Sequence, residues 1–428
     1  MGLAILLGLF ALLTFIGVPV AFALGMAAIS AFWYEGLPLM IGFQRIVAGT
    51  STFSLLAIPF FIFAGELMLH GGIAARLIRL ASSAVGWMRG GLGQVNVFSS
   101  MLFGGISGSA VADVSALGSL LIPVMKEKGY DDDYAVNVTV TSSIAGIMIP
   151  PSHNMILYVV AAGGGISVAS LFMAGVVPGI LMCLFLGLVA RWIAIRKHFP
   201  TETFPGFKMV FLAFLASVPG LITAVIVVGG ALSGVFTVTE SGAIGAIYAI
   251  IITGLVYRSL SLKDFWIAVI RSVRTTGLVM ILVGCASAFG YMLALYEVPR
   301  VLAETLTSIS DNPIVILLMM NLILLLLGMI MDMAALILIC TPIFLPVAIG
   351  LGMDPIHFGV MLMMNLGLGL CTPPVGGCLF VGCAIGGVSI QKAVKSIWPF
   401  YLAILAALML VTFVPAVSMT LPNWINGL

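Results

Sequence analysis

Apolar residues in this chain come in runs, not in alternation. Stretches of about twenty apolar residues recur from one end to the other, each long enough to cross the hydrocarbon core as a helix. The first thirty residues, starting MGLAILLGLF, lack a basic leader and a small-residue cleavage site, so they read as one membrane helix. Segment 93–125 departs from the pattern. Two short arms, 93–106 and 109–125, meet at GGISGSAVAD, and arms of that length cannot each span the bilayer. The arms 313–328 and 332–350 repeat the arrangement, and each pair reads as a re-entrant hairpin. Longer runs at 134–163, 170–195, 208–230, 235–257, 276–296, 357–384 and 397–418 read as crossings. The pattern therefore predicts an all-α polytopic membrane protein with two re-entrant hairpins and about nine full crossings.

Composition agrees, with 62% hydrophobic and 7% charged residues, against about 25% charged in soluble domains. A net charge of +2 without a basic patch points away from nucleic acid. The six cysteines all lie inside apolar runs, where they read as small buried hydrophobes. Orientation follows from the 17 Lys and Arg residues, because short cytoplasmic loops collect positive charge. Arg76, Arg79 and Arg89 precede the first hairpin and Lys126 and Lys128 follow it, so both its ends are cytoplasmic. Walking on from there, Arg191, Arg196, Lys197, Lys208, Arg258, Lys263, Arg271, Arg274, Lys392 and Lys395 also fall inside. Only Arg45 and Arg300 fall outside. An acidic loop with Glu297, Glu304 and Asp311 leads outside into the second hairpin. The walk expects a cytoplasmic N-terminus and an external C-terminus.

The two hairpin regions superpose in sequence without gaps, residues 101–164 on 324–387. The shared residues are punctuation: Gly105/Gly328, Pro123/Pro346, Gly129/Gly352, Asp131/Asp354, Gly146/Gly369, Pro150/Pro373 and Pro151/Pro374. Charge puts the first hairpin inside and the second outside, so the repeats are inverted. That is a common plan of secondary transporters, with the binding site between the halves on interrupted helices.

Each repeat has two interruptions. The tips read GISGSAVAD (105–113) and GMIMDMAAL (328–336); the broken crossings read SSIAGIMIPPSHN (142–154) and NLGLGLCTPPVGG (365–377). Proline removes a backbone donor and frees a carbonyl four residues back. Irregular backbone at membrane depth must line a protein cavity, since lipid cannot satisfy it. Carbonyls with Ser107, Ser109, Ser142, Ser143 and Ser152 in the first copy, and Asp332, Asn365 and Thr372 in the second, suit a hard cation such as sodium. Half-helix N-termini suit an anionic substrate. Plainer readings exist: a kink for each Pro-Pro, a cap for Asp113 or Asp332, and a structural hydrogen bond for His153. Glu66 reads as reaching the inner interface and Glu240 as helix N-terminal chemistry.

With these features in place the chain resembles the large membrane subunit (M subunit, DctM-like) of the tripartite ATP-independent periplasmic (TRAP) transporters. The stretches carrying the resemblance are GVPVAFALG (17–25), IPFFIFAGELM (58–68), FGGISGSAVADVSALGSLLIPVM (103–125), SSIAGIMIPPS (142–152), VTESGAIGAIYA (238–249) and GLGLCTPPVGG (367–377). Val238 and Ser241 depart from the Pro-Thr-Glu-Ala run frequent in the family. The resemblance implies an elevator mechanism in a bacterial or archaeal cytoplasmic (inner) membrane, with no cofactor and sodium as coupling ion at two or more sites. It also implies a small membrane subunit (Q) and a periplasmic substrate-binding protein (P) as partners, and a carboxylate substrate such as a C4-dicarboxylate or sialic acid. The chain reads as unfused to the small subunit.

Carried onto this sequence, one sodium site lies between Ser107, Gly108 and Ser109 and the break at Gly146, Pro150 and Ser152. A second lies between Gly328 and Asp332 and the break at Gly369, Thr372 and Pro373. Substrate falls between them, near Ser152, His153, Asn154, Gly376 and Gly377. The matching division is 1–92 and 170–275 as scaffold, 93–169 and 312–390 as the transport repeats, 276–311 as the lead into the second repeat, and 391–428 as a C-terminal helix. A stand-alone ion-coupled carboxylate carrier is the alternative. An enzyme lacks support, because His70, His153, His198 and His357 are scattered and no HExxH or paired-carboxylate motif occurs.

Overall fold

The computed structural model describes residues 1–425 and contains helices but no strand among them. Helices Gly2–Phe15, Val20–Tyr34, Leu39–Thr50 continuing as Phe53–His70, and Ile73–Val85 lead into the first hairpin, Gly91–Ser107 and Ala110–Glu127. A crossing bent by 54° follows, running Asp132–Met148 and then His153–Ala161. Val168–Arg196 closes the series. The same order then begins again with Phe207–Leu232, Val238–Val256, Leu262–Leu295 and Val298–Ile309. The second hairpin, Pro313–Gly328 and Met333–Gly350, leads to the second broken crossing, Pro355–Leu370 with Gly377–Gly386, and to Ile390–Phe413. Pro415–Ile425 is an addition with no counterpart. The helix order of the repeat thus extends well beyond the stretch that sequence identity reveals.

The two broken crossings lie antiparallel. The Tyr158 hydroxyl, late in the first, donates to the Pro355 carbonyl at the start of the second, 2.5 Å away. Gly367 packs against Ile144 near their middles, and Gly386 against Val136 at the other end. The second half of each break also packs on the other repeat's hairpin, Gly377–Gly386 on Ala110–Glu127 and His153–Ala161 on Met333–Gly350. Lys126 Nζ donates to the Gly386 carbonyl at 2.8 Å, a cation on the C-terminal end of a half-helix.

Polar residues bind each hairpin's first arm to its own broken crossing. In the first repeat Asn96 Nδ2 donates to Thr139 Oγ1 at 2.5 Å, and Ser100 and Ser142 hydroxyls lie 2.9 Å apart. In the second, Asn365 Nδ2 donates to Asn321 Oδ1 at 2.9 Å. Buried polar groups need such partners, and in an apolar surrounding they fix one register.

Several expectations change. Residues 1–30 form two antiparallel helices, turning at Gly17–Pro19, where proline starts the second helix and Gly17 takes φ +90°. Gly2 returns beside Glu35 and Tyr296, whose hydroxyl donates to Glu35 Oε1 at 2.9 Å. The N-terminus therefore shares the end of the molecule that carries Tyr296 and Glu297. A cytoplasmic N-terminus and an external acidic connector therefore cannot both hold, and no Lys or Arg precedes Arg45 to fix the first. Fourteen residues make a helix of about 21 Å, short of a ~30 Å core. At its turn the Ile16, Gly17 and Val18 amides bond back to Leu12, Thr14 and Leu13.

The run 276–296 is part of a helix starting at Leu262, because Ser261 caps it through the Asp264 amide and Lys263, Arg271 and Arg274 sit on its exposed face. The acidic loop is the helix Val298–Ile309, with Arg300 paired to Glu297 and Glu304 on its surface. Residues 391–425 hold two helices, broken before Pro415. By length and apolarity seven single helices among the described residues can cross, one of them the hairpin arm Met333–Gly350, and the bent pair makes an eighth. Glu240 and Thr237 form a reciprocal capping box, as the sequence suggests.

Candidate functional site

The first tip forms where Gly91–Ser107 ends in a left-handed Gly108 (φ +64°) and Ser109 caps the second arm. This tip lies directly on the first break. A Cβ on Gly108 would stand 2.9 Å from the Pro151 carbonyl oxygen, and one on Gly104 would stand 2.8 Å from the Ala145 carbonyl. Backbone approaches backbone there, which only glycine permits. Ser107, Gly108, Ser109, Gly146, Pro150 and Ser152 are thus brought into one place.

Asp113 joins them. It is fully buried, one turn inside the second arm, and its Oδ1 accepts a hydrogen bond from Ser107 Oγ. Its Oδ2 has no partner and faces Gly146, and the buried Ser152 hydroxyl beside the tip also has none. The sequence left Asp113 open between cap and ion ligand; Ser109 is the cap. A buried carboxyl oxygen, a hydroxyl and close backbone carbonyls make an oxygen-lined site.

The second tip repeats the backbone contact. A Cβ on Gly369 would lie 2.6 Å from the Gly328 carbonyl carbon, and the Val375 amide donates to the Met329 carbonyl at 2.9 Å. Asp332 is exposed and caps Met333–Gly350 through the Ala334 amide at 3.0 Å, the place Ser109 holds in the first repeat. Thr372 Oγ1 donates to the Leu368 carbonyl at 2.7 Å. Gly328, Asp332, Gly369, Thr372 and Pro373 are gathered at this tip and break, without a buried carboxylate among them. Both Pro-Pro bonds, 150–151 and 373–374, are cis.

Of the residues proposed to meet substrate, His153 lines a cavity of about 300 Å³ beside the first tip, together with Ser107, Ser109, Glu66 and Arg271. Ser152 and Asn154 are buried and do not line it. Gly377 has open space beside it, with Val111 of the cavity wall 4.0 Å from where its Cβ would be; Gly376 is held in a left-handed turn against Thr372. Arg271 was hidden in the sequence within a run of basic residues, where it read as a loop charge.

Antiparallel repeats, two hairpin tips seated on two broken helices, and polar groups collected at those seats define a membrane transport protein of the inverted-repeat kind. The comparisons give its family. The chain matches the family model described as tripartite ATP-independent periplasmic transporter, DctM component, over residues 7–417, and it belongs to that family. It is 38% identical to the sialic acid TRAP transporter large permease protein SiaM of Vibrio cholerae, over 97% of each chain. It is 36% identical to the C4-dicarboxylate TRAP transporter large permease protein DctM of Rhodobacter capsulatus, over 99% of each chain. In fold it resembles the YdaH transporter of Alcanivorax borkumensis, with a TM-score of 0.64 at 16% identity, covering 91% of this chain and 89% of that one.

Proposed function

We propose that this large permease subunit imports a carboxylate-bearing organic acid, such as a C4-dicarboxylate or a sialic acid, driven by sodium and fed by a periplasmic binding protein. The single observation that carries the ion reading is Asp113. Its unpartnered Oδ2 and the Ser152 hydroxyl are buried where hairpin tip and broken helix meet. A buried carboxylate without a counter-charge is costly in a bilayer, by about 2.5–3.5 kcal/mol on insertion scales, and a bound cation removes that cost. Sodium fits the donor set, which is all oxygen. The first site then consists of Ser107, Gly108, Ser109, Asp113, Gly146, Pro150 and Ser152. A second, of Gly328, Asp332, Gly369, Thr372 and Pro373, relies on backbone oxygens and the capping carboxylate.

The elevator reading draws on packing. The hairpins, the broken crossings, Val168–Arg196 and Ile390–Phe413 pack mainly on one another. The helices Gly2–His70 and Val238–Leu295 pack on each other as a second group. We assign the first group to the moving body, which takes Val168–Arg196 out of the scaffold expected over 170–275, and the second to the scaffold, with a small membrane subunit as the scaffold's partner.

The test is uptake of labelled succinate and N-acetylneuraminate into proteoliposomes holding the large and small subunits. Uptake should need both an inward sodium gradient and the binding protein. Equal uptake without the binding protein would point to the stand-alone carrier instead, and uptake indifferent to sodium would end the coupling reading.

A further inference from the structure

The cavity beside the first tip has two walls. One is the tip itself with His153; the other is built from Phe53–His70 and Leu262–Leu295, which carry Glu66, Arg271 and Thr275 into it. Arg271 Nη1 stands 4.0 Å from Glu66 Oε2, and His70 Nδ1 stands 3.6 Å from the same oxygen. That oxygen is buried yet has no hydrogen-bond partner. The Glu66 side chain is 20% exposed and that of Arg271 is 58%, so the arginine leans out of the pair into the open space. At 4.0 Å the pair is a loose one, and an anion entering the cavity can compete for the guanidinium at small cost.

The repeat sharpens this. At the offset that aligns the hairpins, Glu66 matches Phe289, Arg271 matches Ala48, Ser107 matches Ile330 and His153 matches Gly376. The prolines and glycines of the breaks occur twice, as a mechanism shared by both faces requires. The charged and polar wall of this cavity occurs once, on the half of the molecule that carries Lys263, Arg271 and Arg274. A feature present at one end only serves a step that happens at one end only.

We propose that this cavity is a carboxylate subsite on the cytoplasmic release path. Arg271 takes the substrate's carboxylate in a charge-assisted, two-pronged hydrogen bond. Glu66 is the internal competitor that reclaims the guanidinium as substrate leaves. This rests on the carboxylate-import reading and adds to it a specificity-determining residue contributed by the scaffold rather than by the hairpins.

Membrane vesicles of opposite orientation separate the two faces, with succinate and N-acetylneuraminate as probes and the whole complex present. In inside-out vesicles, Arg271→Gln should raise the half-saturating concentration about tenfold, the loss of one charge-assisted contact. In right-side-out vesicles supplied with binding protein it should change by less than about twofold. Arg271→Lys should recover part of the loss, since a point charge replaces the fork. Glu66→Gln should lower the inside-out value, because the competitor is gone. An unchanged inside-out value in Arg271→Gln, or equal changes on both faces, overturns the proposal. If Arg271→Gln fails to reach the membrane, Glu66→Gln decides: tighter binding from inside supports the subsite, and unchanged binding refutes it. Wild type that carries neither acid overturns the import reading and the subsite with it. Wild type that carries one, with both variants indifferent, overturns the subsite alone.

Discussion

Asp113 and Asp332 show how one residue type does two jobs at two tips. Asp332 is exposed and bound to the Ala334 amide, so its first duty is to cap a helix. Asp113 lies buried on the next turn of its arm, with one oxygen held by Ser107 and the other free. Asp113→Asn should therefore raise the sodium concentration for half-maximal uptake by about tenfold or more, the loss of a charge from the cage. A sodium curve that does not move would take Asp113 out of the site. Asp332→Ala should lower stability in detergent by about 0.5–2 kcal/mol through the lost cap, visible as a lower melting temperature. If Asp332 also faces the second ion, the sodium curve moves as well, and the two readouts separate the roles.

At the scale of the element, the seat of hairpin on broken helix is made by glycine. Gly369→Ala drives a methyl group into the Gly328 backbone, which cannot yield as a flexible side chain would. Transport should be lost while the protein still inserts and elutes as a single species. Gly229→Ala meets nothing within 4 Å and serves as the control; it should be neutral or more stable by up to about 1 kcal/mol. Paired punctuation made the hairpins legible beforehand, since Pro150/Pro373 and Gly146/Gly369 recur in register and their arms end within two residues of the expected places. What stayed illegible has a physical reason. The arm at 2–34 and the helix starting at Leu262 depend on which apolar runs pack together, and apolarity is the same on either side of a turn. Arg271 was invisible as a site residue because a positive charge near the cytoplasm needs no special explanation. Only its placement beside Glu66 and the first tip distinguishes it from its neighbours.

For the whole molecule, the helix series 2–196 and 207–413 repeats in order, and the N-terminus lies at the end that carries Tyr296 and Glu297, which the charge pattern predicts to be external. An epitope placed before Met1 should be reached by antibody in intact right-side-out vesicles without lysis. Access from the cytoplasmic face alone would put the Tyr296 end inside and overturn the external assignment of the acidic connector. The correspondence is unequal in one respect. Gly2–Phe15 and Val20–Tyr34 have 14 and 15 residues, whereas their counterparts Phe207–Leu232 and Val238–Val256 have 26 and 19. The turn of the short pair shows Phe15 at 88% and Ile16 at 69% exposure, with the amides around it already satisfied. A helical pair this short spans only part of a ~30 Å core, so on that flank it is expected to displace lipid from one leaflet more than from the other. A bilayer answers a one-sided wedge by bending or thinning locally. Turnover is therefore expected to vary with bilayer thickness, which uptake in proteoliposomes of short-chain and long-chain lipids measures.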